Sequence, residues 1–217
     1  MNIIDGKKIS NQIKDEIKLE VQNIISNGGT PPHLAAVLVG DDGASLTYVG
    51  SKVKSCEQVG FKSTLIKLSE KVSEKELLNK IKELNNNKEI DGFIVQLPLP
   101  KHIDEQKILL SINPNKDVDG FHPTNFGKMA LNMETFIPAT PYGIMELLKR
   151  YKIETKGKHT VVIGRSHIVG RPISILMNSK GAVGDSTVTV THSRTTNIES
   201  YIKKLISLFQ LLVSLVL

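Results

Sequence analysis

The chain has 217 residues, 40% hydrophobic and 23% charged, a balance typical of globular domains and not of disordered chains. Its formal net charge is +6, yet aromatic residues make up only 5% and tryptophan is absent. That composition disfavours nucleic-acid modules that stack bases on aromatic rings. The single cysteine, Cys56, excludes an internal disulfide and a cysteine-based zinc site.

The lysines and the two ends of the chain bear on partners and location. The excess lysines are spread along helix-like stretches, which is typical of a solvated surface. An anionic partner, namely a nucleotide, a polyglutamate or nucleic acid, is the alternative. No apolar signal segment opens the chain, and the apolar run 205–217 covers only 13 residues, too few to span a bilayer. We expect a cytoplasmic protein that binds neither membranes nor nucleic acid.

Helix and strand patterns alternate along the first hundred residues. Apolar side chains spaced four residues apart predict a helix over 7–26. A second helix is expected over 45–59, with Ser45 as its N-cap and Gly60 as its stop, and a capping box at 73–76 opens a third. Apolar runs predict strands at 33–39, 61–68 and 90–97. This alternation favours an α/β sheet with mostly parallel strands.

The second half of the chain begins with a change of composition. Residues 111–141 are dense in Asn, Pro, Gly and Asp and lack periodicity, so we expect a long ordered loop there. Thr140 as a cap and Pro141 in the first turn predict a helix that ends near Tyr151. The pattern then predicts a strand at 158–163, a glycine turn at 164–170, a helix at 171–178 and a strand at 187–191. We expect two α/β domains, over 1–120 and 151–217, joined by a segment and linking helix over 121–150.

The glycine turn is the first candidate site. A strand, a glycine turn and a helix form the phosphate-binding half of a Rossmann fold, because glycine lets the backbone approach phosphate at a helix N-terminus. Here the spacing is Gly164, Ser166, Gly170 instead of G-x-G-x-x-G, and an ordinary strand-to-helix turn is the alternative. The next strand is followed by Ser193 and Arg194 with no acidic residue, which favours NADP over NAD because a guanidinium suits a 2′-phosphate.

Two further sites lie in the first half. Tyr48 and Lys52 are four residues apart on a helix and share a face, where a lysine can act as acid or base; a solvated surface pair is the alternative. Gln96, between Val95 and Leu97, ends an otherwise apolar strand at the sheet edge where ligands bind. It is a candidate to orient a substrate or the lysine, or else it caps its own turn.

The fourth candidate is the acidic segment around Asp117, Asp119 and His122. Two carboxylates near a histidine can suggest a metal, but no further acid or histidine nearby completes a ligand shell. We favour a carboxylate that accepts hydrogen bonds from a nitrogen heterocycle.

Taken together, these segments resemble one enzyme family. The order is Ala-Ser-x-x-Tyr-Val-x-x-Lys at 44–52, Gln-Leu-Pro-Leu-Pro at 96–100, Asp-Val-Asp-Gly-Phe-His-Pro at 117–123, Pro-Ala-Thr-Pro-x-Gly at 138–143, Gly-Arg-Ser-x-Ile-Val-Gly at 164–170 and His-Ser-Arg-Thr at 192–195. The chain thereby resembles the bifunctional methylenetetrahydrofolate dehydrogenase/methenyltetrahydrofolate cyclohydrolase family. The resemblance implies a folate-binding catalytic domain and a Rossmann-like NADP domain. It also implies a cytoplasmic homodimer that supplies one-carbon units, for example to purine biosynthesis.

The resemblance also implies roles for the candidate residues. Lys52 would act in hydrolysis of the methenyl group, Gln96 would hydrogen-bond to it and help set its protonation, and Asp119 would grip the pterin ring. Tyr48 would pack on the folate, beside Val95 and Leu97. The residues implied to bind NADP are Gly164, Arg165, Ser166, Ser193 and Arg194. No metal is implied.

The sequence departs from the family pattern at two positions and at its end. Ala139 and Thr191 stand where the family often has cysteine. After about residue 203 the sequence no longer resembles the family, which predicts a truncated or frame-shifted member with an incomplete NADP domain. A remnant that is inactive or binds only folate is the alternative function.

Overall fold

The computed structural model describes residues 3–181 and 183–203, and the chain divides into two compact units. One unit is Asp5–Val118, and the other combines Ile3 and Ile4 with the chain from Asp119 onward. The predicted end of family resemblance, and the apolar segment 205–217, lie outside the described residues.

The first unit is a three-stranded parallel sheet covered by helices. Its strands lie in the order β2-β1-β3, and both strand pairs are parallel. The elements are α1 (Gly6–Ser26), β1 (His33–Val39), α2 (Gly43–Val59), β2 (Lys62–Leu68), α3 (Glu74–Asn86), β3 (Gly92–Val95) and α4 (Glu105–Ser111). The parallel α/β prediction is therefore confirmed for this unit.

Alternate side chains of the central strand β1 enter two apolar clusters. Ala35 and Val37 pack in the larger one, together with apolar residues of α3 and α4, while Leu38 packs on the other side with Val49 of α2. This alternation follows from the two-residue period of a strand. Because both faces are covered, β1 is a nearly continuous apolar run in the sequence.

Two helix starts in this unit test the predicted caps. The capping box is confirmed, since the Ser73 hydroxyl accepts from the Glu76 N–H and the Glu76 carboxylate accepts from the Ser73 N–H. Ser45 as the N-cap of α2 is wrong. Asp42 caps that helix through its carboxylate, which accepts from the Ser45 N–H at 2.8 Å, and Ser45 itself is buried in the first turn.

The second unit contains a two-stranded parallel sheet, β4-β5. Its elements are α5 (Pro123–Ala130), α6 (Ala139–Arg150), β4 (His159–Ile163), α7 (Gly170–Asn178), β5 (Thr187–Thr191) and α8 (Ile198–Lys203). Its apolar core is built from α6, α7 and β4, through Ile144, Leu148, Val162, Ile173 and Met177. The predicted strand, glycine turn, helix and strand are confirmed, with small shifts at the ends.

The expected long loop over 111–141 is wrong in part, because α5 lies inside it. Pro123 takes the first helical position, where its missing N–H costs nothing, and His122 caps the helix by accepting from the Thr124 N–H. The predicted cap of α6 is also wrong: Thr140 lies within the helix, and the N-cap is Pro138, which provides no side-chain hydrogen bond.

The third strand is shorter than predicted. β3 covers Gly92–Val95, whereas the apolar run predicts 90–97. The two prolines at 98 and 100 cannot donate a hydrogen bond to a neighbouring strand, and pairing with β1 stops at Val95.

Among the described residues, no helix combines the length and the apolar character needed to cross a bilayer.

Candidate functional site

The carboxyl end of β3 carries the most informative polar side chain of the first unit. The Gln96 N–H donates to the Val37 carbonyl at 2.9 Å, which fixes its backbone beside the central strand. Its side-chain Nε2 donates to the Leu97 carbonyl at 2.7 Å, so half of the amide does cap its own turn. The other half differs: Gln96 Oε1 is buried and has no hydrogen-bond partner among the described residues.

A buried carbonyl oxygen without a donor is costly, about 1–3 kcal/mol. Such an atom in a folded protein calls for an explanation, and a ligand or a side chain that moves in to donate is a common one. Gln96 Oε1 therefore indicates a place where an N–H or O–H group binds.

The helix α2 presents Tyr48 and Lys52 near this sheet edge. Tyr48 is 66% exposed and Lys52 is partly buried, whereas Val49, which lies beside them on the helix, is buried in the core. Val49 and Val53 pack in one cluster with Ile94. The side of the sheet that Ile94 faces is therefore the side that α2 covers, and Gln96 follows directly after the end of β3.

The acidic segment divides between structure and site. Asp117 is only 2% exposed and pairs through its backbone with Phe93 at the edge of β3. The Lys116 ammonium donates to the carbonyls of Leu84 and Asn87, where it closes the C-terminal end of α3. Asp117 and Lys116 therefore stabilise the fold of the first unit. Asp119 is partly buried and belongs to the second unit.

Gly120 follows Asp119 and needs to be glycine for two reasons. Its φ is +68°, and a Cβ there would lie 2.7 Å from the Phe136 carbonyl oxygen. The chain around Asp119 is thus held by close backbone packing.

Within the described residues, no group of three or more His, Cys, Asp or Glu is arranged to hold a metal ion.

The glycine turn of the second unit has two glycines with different tasks. A Cβ on Gly170 would lie 2.5 Å from the Gly164 carbonyl oxygen, so this glycine lets α7 approach the end of β4 closely. Gly164 has a φ of +119° and nothing within 4 Å of the Cβ position. It therefore leaves open space in front of the turn, where the backbone can approach a ligand.

Ser166 organises the same turn. Its hydroxyl accepts from the N–H groups of Val169 and Gly170, at 3.2 and 3.1 Å, and so fixes the turn that leads into α7. The N–H groups of residues 165–168 donate to no acceptor among the described residues. Unpaired N–H groups in a turn that leads into a helix can bind anions.

The turn that follows β5 lies at the same sheet edge. Ile163 pairs with Thr191 in register, and the Gly164 N–H donates to the Thr191 carbonyl at 2.8 Å. The loops after β4 and β5 are therefore neighbours. Ser193 and Arg194, like Arg165, are exposed.

These features fit a phosphorylated dinucleotide. The turn after β4 offers open space and unpaired N–H groups, and the two loops add guanidinium and hydroxyl groups without an acidic side chain. An Asp or Glu after the second strand would suit a free ribose hydroxyl, and none is present at residues 192–197. The donor set is matched to a 2′-phosphate.

Cys56 lies on the buried face of α2. Burial is the main cause that raises the pKa of its thiol, with the Glu57 charge adding to it. A thiol of raised pKa is a poor nucleophile at neutral pH, so Cys56 belongs to the packing of α2 and not to the site.

Comparison with known proteins decides the family. A family model of the tetrahydrofolate dehydrogenase/cyclohydrolase catalytic domain matches residues 4–119, and a model of the NAD(P)-binding domain of the same enzymes matches residues 138–207. The chain belongs to the tetrahydrofolate dehydrogenase/cyclohydrolase family. The predicted family and the two-domain α/β fold are thus confirmed.

Individual relatives agree. The chain is 72% identical to the bifunctional protein FolD of Flavobacterium johnsoniae over 203 residues, which are 94% of this chain and 69% of that protein. It is 68% identical to FolD of Christiangramia forsetii over 91% of this chain and 66% of that protein. The chain therefore spans about two thirds of the length of these relatives.

Solved structures show the same architecture. The bifunctional FolD methylenetetrahydrofolate dehydrogenase/cyclohydrolase of Campylobacter jejuni is 46% identical, with a TM-score of 0.87, and the match covers 93% of this chain and 70% of that one. The Trypanosoma brucei FolD, solved with NADP and an inhibitor, is 33% identical with a TM-score of 0.87, covering 94% of this chain and 69% of that one.

Proposed function

We propose that this protein oxidises 5,10-methylenetetrahydrofolate to 5,10-methenyltetrahydrofolate with NADP and hydrolyses the product to 10-formyltetrahydrofolate. The observation that carries the proposal is the match of both family models to one chain, each over a unit with a fitting candidate site. We assign folate to residues 1–120 and NADP to residues 151–217, with residues 121–150 as the link.

On the folate side, Lys52 and Gln96 carry the hydrolysis. A water oxygen bonds to the methenyl carbon, one carbon–nitrogen bond of that carbon breaks, and the released nitrogen keeps its electron pair. Lys52 exchanges the protons that these steps require, as a general acid and base. The buried Gln96 Oε1 supports a role as acceptor for an N–H donor, from Lys52 or from the substrate.

Tyr48 and Asp119 complete the assignment for the folate. The exposed Tyr48 ring, one helical turn from Lys52, offers a flat surface on which a folate ring packs. The Asp119 carboxylate is matched to the N–H groups of the pterin. Val95 and Leu97 flank Gln96 and contribute apolar contact.

In the second unit, the residues of the protein bind NADP and orient it. NADP, when bound, accepts the hydride that leaves the methylene carbon. Gly164 lets the backbone approach phosphate, Ser166 shapes the turn, and Arg165, Ser193 and Arg194 offer donors to the 2′-phosphate. Hydride transfer then depends mainly on positioning of the two carbons.

We further propose that the protein is a cytoplasmic homodimer that supplies one-carbon units, for example for purine biosynthesis. The family resemblance supports these points. Analytical ultracentrifugation of the 217-residue chain tests the oligomer, and a single monomeric species would contradict it.

Two spectrophotometric assays of the full chain test the activities. The first follows methenyltetrahydrofolate formed from methylenetetrahydrofolate, with NADP and with NAD in parallel. The second follows hydrolysis of added methenyltetrahydrofolate without nucleotide. We expect both reactions, and a preference for NADP. A chain that binds folate but catalyses neither reaction, beside an active full-length relative, would contradict the proposal.

A further inference from the structure

The turn after β5 contains two side chains to which the resemblance gives no role, His192 and Thr195. We infer that they are positioning residues that hold Arg194 in the orientation needed to bind a 2′-phosphate. This inference rests on the proposed NADP site and deepens it, because it names the residues that set the preference for a 2′-phosphorylated nucleotide.

Both side chains are tied to the backbone of the turn. His192 Nδ1 accepts from the Arg194 N–H at 3.2 Å, and the Thr195 hydroxyl accepts from the His192 N–H at 2.9 Å. The Thr195 N–H donates to the His192 carbonyl at 2.8 Å. The His192 ring thus holds the N–H of Arg194, while the hydroxyl and N–H of Thr195 both bind the backbone of His192, so these bonds close the turn around Arg194.

The hydrogen bond at Nδ1 requires a particular form of the ring. A nitrogen that accepts from an N–H carries no proton, so the proton of the neutral His192 ring lies on Nε2. Asn offers a carbonyl oxygen that can accept from the N–H two residues later in the same way. Asn is therefore the conservative replacement for His192, and Ala removes the acceptor.

The first residue before the turn, Thr191, is held in place by its neighbours, so the shape of the turn itself depends on His192 and Thr195. Thr191 is fully buried, and its carbonyl accepts from the Gly164 N–H of the neighbouring turn. Beyond it, Ser193 and Arg194 are exposed. An exposed arginine binds phosphate well only when its planar fork is aimed at it, because ordering a free loop on binding costs affinity.

The experiment measures binding, so it does not depend on turnover. Calorimetric titration of the full chain with NADP, NAD, 2′,5′-ADP and 5′-AMP gives two affinity ratios that report the 2′-phosphate alone. Arg194→Ala is expected to lower both ratios about tenfold to a hundredfold, the value of a charge-assisted hydrogen bond. His192→Ala and Thr195→Val are each expected to lower them about threefold to tenfold.

Controls separate a positioning role from damage to the domain. His192→Asn and Thr195→Ser restore the acceptors and should keep the ratios near the parent value. Thr196→Val makes the same change as Thr195→Val at the next residue, whose side chain is exposed, and should leave both ratios unchanged. NAD and 5′-AMP affinities should stay nearly constant across all of these variants.

A double variant provides the decisive comparison. If His192 acts through Arg194, adding His192→Ala to Arg194→Ala should not lower the ratios further. A further fall, or an equal loss of NAD and NADP affinity in His192→Ala, would overturn the inference. If Arg194→Ala itself leaves both ratios unchanged while NADP still binds, the inference is overturned together with the proposed role of Arg194, whereas a chain that binds no NADP at all contradicts the proposed function.

Discussion

The two units hold their candidate groups in opposite ways. In Asp5–Val118 they lie on regular elements, Lys52 and Tyr48 on α2 and Gln96 directly after β3, and the key atom Gln96 Oε1 is buried. In the second unit the candidate nucleotide-binding groups lie on the two loops that follow β4 and β5, and Arg165, Ser193 and Arg194 are exposed.

This difference indicates which property a substitution in each unit should change. A buried group on a rigid element is placed accurately but cannot be changed without altering the chemistry around it. Exposed charged groups on short loops contribute to ligand affinity, but water weakens each of their electrostatic interactions. We therefore expect changes in the first unit to alter reaction rates, and changes in the loops of the second to alter nucleotide affinity.

The largest expected effect is at Lys52. Lys52→Met keeps the length of the apolar stem but removes the proton-exchanging group, so hydrolysis should fall about 10²–10⁴-fold. Hydride transfer requires no such group and should fall much less. Steady-state assays of the two reactions check this, and Lys54→Met, an exposed lysine on the same helix, is the matched control. Equal losses in both reactions would contradict the role of Lys52.

The next effect is at the close contact of the glycine turn. Gly170→Ala would place a Cβ 2.5 Å from the Gly164 carbonyl oxygen, so α7 must shift. We expect a loss of about 1–3 kcal/mol in the free energy of unfolding and a clear loss of affinity for NADP and NAD alike. Urea unfolding and calorimetry measure both.

Gly127→Ala is the control for that change. It lies within α5 in the same unit, and nothing is within 4 Å of its Cβ position. Alanine is the better helix former by about 1 kcal/mol, so this variant should be at least as stable as the parent. Unchanged nucleotide affinity in Gly170→Ala would show that the close approach of α7 is not used for binding.

The smallest effect lies away from both sites, at the capping box of α3. Ser73→Ala should lower the free energy of unfolding by about 1 kcal/mol at pH 7 without changing either activity. Ser10→Ala, an exposed serine inside α1, is the matched control and should have little effect. A loss of either activity in Ser73→Ala would contradict the claim that the capping box affects only stability.

The same box has a pH dependence of known sign. Hydrogen bonds from the Ser73 hydroxyl and N–H hold the pKa of Glu76 below its ordinary value. A lowered folded-state pKa stabilises the protein above the unfolded value, near pH 4.3, and this contribution is lost as the pH falls through the folded-state value. The stability difference between parent and Ser73→Ala should therefore shrink below about pH 4, as urea unfolding at several pH values would show.

Regular elements with strong local signals could be predicted from the sequence. The apolar run at 33–39 is β1, the box at Ser73 and Glu76 opens α3, and Gly60 ends α2 in the left-handed conformation. The helix α5 was missed because its eight residues include Asn and Gly and resemble a loop. Pro123 at its first position was the available signal.

The geometry of the polar groups could not be predicted. Asp42 and Ser45 are both good cap residues three positions apart, and only the fold decides that Asp42 caps α2. The sequence indicates that Gln96 ends a strand, but not that its Nε2 is used locally while its Oε1 has no partner. Such details depend on packing between distant segments, as the residue roles at Lys52 and Arg194 also do.

The most direct test of the account measures both reactions, and both nucleotide affinities, in Lys52→Met and Arg194→Ala side by side. The account predicts a crossed pattern: Lys52→Met loses hydrolysis and keeps NADP affinity, whereas Arg194→Ala loses NADP affinity and keeps nucleotide-free hydrolysis of methenyltetrahydrofolate. If each variant reduces hydrolysis and NADP affinity to the same degree, the division of labour between the two units is contradicted.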